Sequence, residues 1–168
     1  MDYRLLLSVL FLVFGFLPFF TFMLLKNKRV IKSLFIILTI FYSIVVLIGV
    51  LTNIQLGETI YIAKSVDINR TFNFSPITRN VRDITINICM LAPLGFLLGG
   101  IINKYKVIKS VTFGLILSIF IEVMQYILPI GRNAQLTDII LNTISALIGV
   151  LIFKACEFFK NRNKKDHH

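Results

Sequence analysis

SVTFGLILSIFIEVMQYILPI, residues Ser110 to Ile130, carries one charged side chain, Glu122, along its whole length. At 1.5 Å of rise per residue, a helix of this length covers about 30 Å, the thickness of a bilayer's hydrocarbon core. A helix on the surface of a soluble domain would need a charged face, and this stretch has none. In lipid the backbone must satisfy its own polar groups, which favours helix over strand. Four further stretches read the same way: Leu5–Leu25, Ser33–Leu51, Ile84–Ile102 and Leu136–Phe153. The expected fold is all-α, a polytopic membrane bundle of about five transmembrane helices.

Composition points the same way. Of 168 residues, 57% are hydrophobic and only 15% are charged, too few charges to cover a soluble domain of this length. Net charge is +10, which in a soluble chain would raise nucleic acid as a partner. Here the basic residues lie between apolar stretches, where they fix membrane orientation, and no nucleic-acid partner is expected. Cys89 and Cys156 lie in or beside apolar segments without metal-ligand spacing and read as free thiols. No metal and no cofactor is expected. The first apolar stretch is too long for a signal peptide, lacks a small-residue cleavage site and has its lysines after it, so it reads as a retained helix. Residues 1–166 read as one integral membrane domain, and His167 and His168 as a tag remnant.

Orientation follows from the basic loops. Lys26, Lys28, Arg29, Lys32, Lys104, Lys106, Lys109, Lys154, Lys160, Arg162, Lys164 and Lys165 fall on one side of a five-helix arrangement. Arg4, Lys64, Arg70, Arg79, Arg82 and Arg132 fall on the other. The richer side is the cytoplasmic one, which places the N-terminus and the Thr52–Val81 segment outside and the C-terminus inside.

Polar groups within the apolar stretches are costly there and turn towards the bundle interior. Asp83 and Asn87 stand one turn apart on the third stretch. Ser118, Glu122 and Gln125 form a stripe on the fourth, and Asp138, Asn142, Ser145 and Gly149 form another on the fifth. Helical rise puts Glu122 roughly 12 Å, Gln125 roughly 8 Å, Asn142 about 9 Å and Asp138 about 3 Å below the outer end of their helices. A site built from them would open outward. Packing is the first reading for Ser118, Ser145, Gly95, Gly99 and Gly149, whose small side chains let membrane helices approach closely. Pro93 removes an amide and is expected to kink the third helix. Glu122 needs a proton, a cation or a partner at such depth, and Arg132 in the following loop is the candidate partner.

Asn87-Ile-Cys-Met-Leu-Ala-Pro93-Leu-Gly95-Phe, then Glu122-Val-Met-Gln125, then Gly131-Arg132 through Asp138-Ile-Ile-Leu-Asn142 to Gly149 resembles the VanZ-like family. Asn73-Phe-Ser-Pro76 resembles the Asn-x-x-Pro that precedes the third helix in that family, so the resemblance covers about residues 73–149. It departs from the family at Gln135, where an acidic residue is common. The resemblance implies a multi-pass bacterial cell-membrane protein that lowers susceptibility to a lipid-tailed glycopeptide such as teicoplanin. By position it marks Asn87, Glu122, Gln125, Arg132, Asp138 and Asn142 as ligand-binding residues.

Two functions of different classes follow. In the first, a non-enzymatic envelope protein binds or excludes an amphiphile at the outer leaflet: a membrane lipid, a lipid-linked cell-wall precursor or a lipoglycopeptide. Arg132 would pair with a phosphate or carboxylate, and Asn87, Gln125 and Asn142 would hydrogen-bond the same group. In the alternative, an intramembrane enzyme acts on a lipid-linked precursor, with Glu122 as general base and Arg132 and Asp138 beside it. Against it, the chain lacks a nucleophile–base pair and any internal histidine. A proton-linked transporter fits less well, because no repeat is visible and the polar groups avoid the midplane. A homo-oligomer remains open.

Overall fold

The computed structural model describes residues 17–51, 90–127 and 135–165. Five helical segments occur among them: α1 (17–24), α2 (Lys28–Leu51), α3 (Ala92–Ile101), α4 (Lys106–Ile127) and α5 (Leu136–Lys165). The spans Lys28–Leu47, Lys106–Met124 and Leu136–Arg162 are long and apolar enough to cross a membrane. Among the described residues the fold is all-α, with three helices suited to span a membrane.

Helix ends deviate from the sequence reading for one physical reason. Lysine extends its apolar stem along a helix while its ammonium reaches the interface. Lys28, Lys106 and Lys154 therefore lie within helices that were expected to stop short of them. Between α1 and α2, Asn27 starts the second helix: its Oδ1 accepts the amides of Arg29 at 3.0 Å and Val30 at 3.4 Å. The expected first helix is described only from Leu17 onward, and its earlier part lies outside the described residues.

Three basic segments share one end of the bundle. Lys160 on α5 donates to the carbonyls of Phe22 and, at 2.9 Å, Leu25, satisfying the C-terminal end of α1. Lys106 at the start of α4 meets Glu157 on α5 at 2.7 Å. Four rings pack just inside this end. Phe153 lies 4.9 Å from Phe22 and 5.3 Å from Phe96 between ring centroids, and Phe35 lies 6.1 Å from Phe96.

At the centre of the core is α3, whose residues Pro93 to Gly99 are all buried. It runs against α5 along a seam of small residues. A Cβ at Gly95 would collide with the carbonyl oxygen of Ala146, and one at Gly149 with that of Ala92. The two backbones thus touch where the sequence offered small residues in sequence steps of four.

The third stretch corrects one expectation. It was expected to be a continuous helix over Ile84–Ile102, kinked by Pro93. Instead the helical path breaks at Leu91 (φ −102°, ψ 0°), and a 10-residue helix begins at Ala92. Pro93 stands in the first turn of that new helix, where the missing amide costs nothing. Residues 84–89 lie outside the described residues. A break among apolar helices must be satisfied by side chains. The hydroxyl of Tyr42 donates to the Met90 carbonyl at 2.6 Å, and the Ser145 hydroxyl accepts the Leu91 amide at 3.0 Å.

Candidate functional site

The helices α4 and α5 lie antiparallel, and their polar stripes face each other. Ser118, Glu122, Asn142 and Ser145 are all buried, with Glu122 2% exposed and Asn142 1%. The side-chain amide of Asn142 donates to Ser118 Oγ at 3.1 Å. One turn along α4 from Ser118, Glu122 Oε2 accepts the backbone amide of Gln135 at 2.8 Å. One turn along α5 from Asn142, Ser145 holds the break at Leu91. The polar positions therefore run as a path: Ser145 to Asn142 along α5, across to Ser118, along α4 to Glu122, and back to α5 at Gln135.

Electrostatics at the Glu122 end follow from helix geometry. Gln135 precedes Leu136, the first residue of α5, and its carbonyl accepts the amide of Asp138 at 3.1 Å. Its amide therefore points out of the start of a helix, where the backbone carries partial positive charge. A carboxylate docked there is stabilised by the positive end of the helix. Asp138 lies half-buried in the first turn of the same helix.

Asn142 differs from its neighbours. Its Oδ1 is buried without a hydrogen-bond partner among the described residues. Burying an amide acceptor unpaired costs about 1–3 kcal/mol, and such groups are few in folded proteins. The amide thus presents a strong acceptor to the interior, one turn from Asp138 and across from Ser118. Ser110 Oγ, far along α4, is the other buried side-chain polar atom without a partner among the described residues.

Of the six residues marked from sequence, Glu122, Asp138 and Asn142 are gathered at the α4–α5 contact. Gln125 lies on α4, one turn beyond Glu122. Asn87 and Arg132 lie outside the described residues, and so does the expected Glu122–Arg132 pairing. Two participants went unnoticed in the sequence. Tyr42 offered a signal, a phenol inside an otherwise apolar stretch that needs a partner when buried. The amide of Gln135 offered none, because a backbone donor looks the same at every position.

The VanZ/LLP1 family profile matches residues 40–159, more than half of the chain, and that span contains every residue of the cluster. Protein VanZ of Enterococcus faecium is 29% identical over 99 residues, covering 58% of this chain and 61% of that protein. The match thus spans less than two thirds of that relative's length. No solved structure matches.

Proposed function

The chain belongs to the VanZ/LLP1 family, and on that basis we propose that it is a multi-pass bacterial cell-membrane protein whose interior polar cluster receives the head of an amphiphile. The ligand is a lipid, a lipid-linked cell-wall precursor or a lipoglycopeptide, and the outcome is lowered susceptibility to lipid-tailed glycopeptides such as teicoplanin. Asn142 carries this reading: an enclosed amide, bonded to Ser118 and with an acceptor that has no partner among the described residues, is suited to a donor on an incoming group. Asn87, Gln125 and Arg132 complete the binding set, with Arg132 contacting an anionic headgroup.

Depth supports the outer leaflet. Glu122 is roughly 24 Å from Lys106 along α4, and Asn142 roughly 18 Å from Lys154 along α5. The cluster is thus remote from the basic end, which the positive-inside rule places in the cytoplasm. A purely catalytic role for Glu122 is less well supported, because its Oε2 already accepts the Gln135 amide.

The test compares teicoplanin with vancomycin in cells expressing the chain, alongside an assay for turnover of lipid-linked precursor in lysates. Binding or exclusion requires protection that depends on the drug's lipid tail, with no turnover. Equal protection against both drugs would point instead to altered peptidoglycan termini and an enzymatic route.

A further inference from the structure

A second site lies at the basic end, remote from the Ser118–Glu122–Asn142 cluster. Here Tyr105, Lys106, Val107, Ile108 and Lys154 bound an open recess of about 280 Å³. Tyr105 adopts a left-handed backbone (φ 56°), a conformation few residues other than glycine take up, and its ring stands 72% exposed at the rim. Lys106 is already committed. Its Nζ lies 2.7 and 2.8 Å from the two carboxylate oxygens of Glu157 and 5.0 Å above the Phe153 ring. Glu157 is the one acidic side chain at this end among the described residues, and Lys106 neutralises it. Among the described residues Lys154 therefore brings an uncompensated positive charge to the recess, with Lys104 and Lys109 exposed nearby.

An apolar track leads away from the recess. Ile108, Leu115, Ile119 and Tyr126 recur at steps of seven, four and seven along α4, which aligns them on one face, and all four are exposed, Ile108 by 68%. A recess with spare positive charge, an aromatic rim and an apolar track beneath it is complementary to a molecule with an anionic head and a hydrocarbon tail. Basic recesses between transmembrane helices on the cytoplasmic side take lipid headgroups in this way.

We propose that the Tyr105–Ile108 and Lys154 recess is a binding site for an anionic phospholipid of the leaflet at the basic end, its phosphate beside Lys154 and an acyl chain along Ile108, Leu115 and Ile119. The track makes the occupant a lipid rather than a soluble anion. This site is independent of the amphiphile cluster and of the resistance reading.

The experiment titrates the purified full-length chain in neutral detergent with phosphatidylglycerol, phosphatidylcholine or inorganic phosphate, reading retained lipid by native mass spectrometry. Phosphatidylglycerol should be retained and phosphatidylcholine should not. Lys154→Gln should weaken retention about fivefold, the effect of one lysine near an anionic membrane surface. Lys154→Arg should preserve it. Lys28→Gln removes the same charge from the same end outside the recess and should change retention less than about twofold, since spread-out surface charge acts weakly. Equal losses for Lys154→Gln and Lys28→Gln would overturn the site in favour of diffuse attraction. Displacement of the lipid by inorganic phosphate at matched concentration, or equal retention of phosphatidylcholine, would overturn it as well.

Discussion

Ser145 and Leu91 are 54 positions apart in sequence, and the serine hydroxyl accepts the leucine amide at 3.0 Å, at the point where the third stretch leaves its helical path. Because that amide is enclosed by apolar side chains, the bond is not exchanged for one to water. Ser145→Ala should therefore lower stability by about 1 kcal/mol, and Tyr42→Phe, which frees the Met90 carbonyl, should do the same. Thermal unfolding in detergent measures both. No change in either variant would mean that the break is satisfied elsewhere.

The seam between α3 and α5 leaves no room for larger side chains. Gly149→Val should be poorly tolerated, because its Cβ would meet the backbone of Ala92 and no rotamer can relieve a backbone clash. Gly100→Ala is the informative contrast, since the atoms nearest its Cβ belong to the Phe35 and Phe153 side chains rather than to backbone. The expected outcome is loss of folded protein for Gly149→Val and a smaller decrease in melting temperature for Gly100→Ala. Comparable yields and melting temperatures would show that the helices separate more easily than their contact implies.

Length and apolarity made α2, α4 and α5 legible in sequence, as did the alignment of Ser118 with Glu122 and of Asn142 with Ser145. The break at Leu91 was hidden, because Pro93 is equally compatible with a kink and with a helix start until the partners of the freed amide and carbonyl are known. Those partners, Ser145 and Tyr42, come from distant helices. The backbone partner of Glu122 was hidden for a different reason. The search for a counter-charge led to Arg132, which lies outside the described residues, and passed over a helix N-terminus, which offers its positive field through a backbone amide.

Membrane sidedness can be checked without reference to function. Lys160 binds the carbonyls that end α1, and Lys106 binds Glu157, so residues 26 and 103 should lie on one side. Cysteines placed at Lys26 and Asn103 should both resist an impermeant reagent in intact cells, while one at Asn69 should label. Labelling at Asn103 with protection at Asn69 would reverse the orientation and remove the outer-leaflet argument.

Glu122 and the Gln135 amide form a contact whose charge can be tested separately from its shape. Glu122→Gln keeps an acceptor oxygen for the amide and should lose roughly half of what Glu122→Leu loses, about 1–3 kcal/mol for the latter. The difference measures what the charge of Glu122, as distinct from its shape, contributes at this site. Equal losses in melting temperature for the two variants would show that the charge contributes nothing and that Glu122 is held protonated.

Asn142 provides the sharpest separation of function from structure. A residue retained for stability should leave no buried acceptor unpaired, yet its Oδ1 has no partner among the described residues. Asn142→Leu removes that unpaired atom and fills the same space with hydrocarbon. Ser118 loses the Asn142 donor but can turn its own hydroxyl to the carbonyl four residues earlier, as serine does within helices. Membrane-interior hydrogen bonds of this kind average about 0.6 kcal/mol, less than the cost of an unpaired acceptor. Asn142→Leu should therefore unfold at the same temperature as the unmodified chain or higher, while teicoplanin protection in expressing cells disappears at matched protein levels. That combination, stability kept and function lost, is the signature of a polar group held against folding for a ligand. A decrease of more than about 2 kcal/mol in stability would instead make Asn142 a structural residue that depends on Ser118. Unchanged protection with unchanged stability would remove it from the binding set and leave Arg132, Gln125 and Asn87 to carry the site.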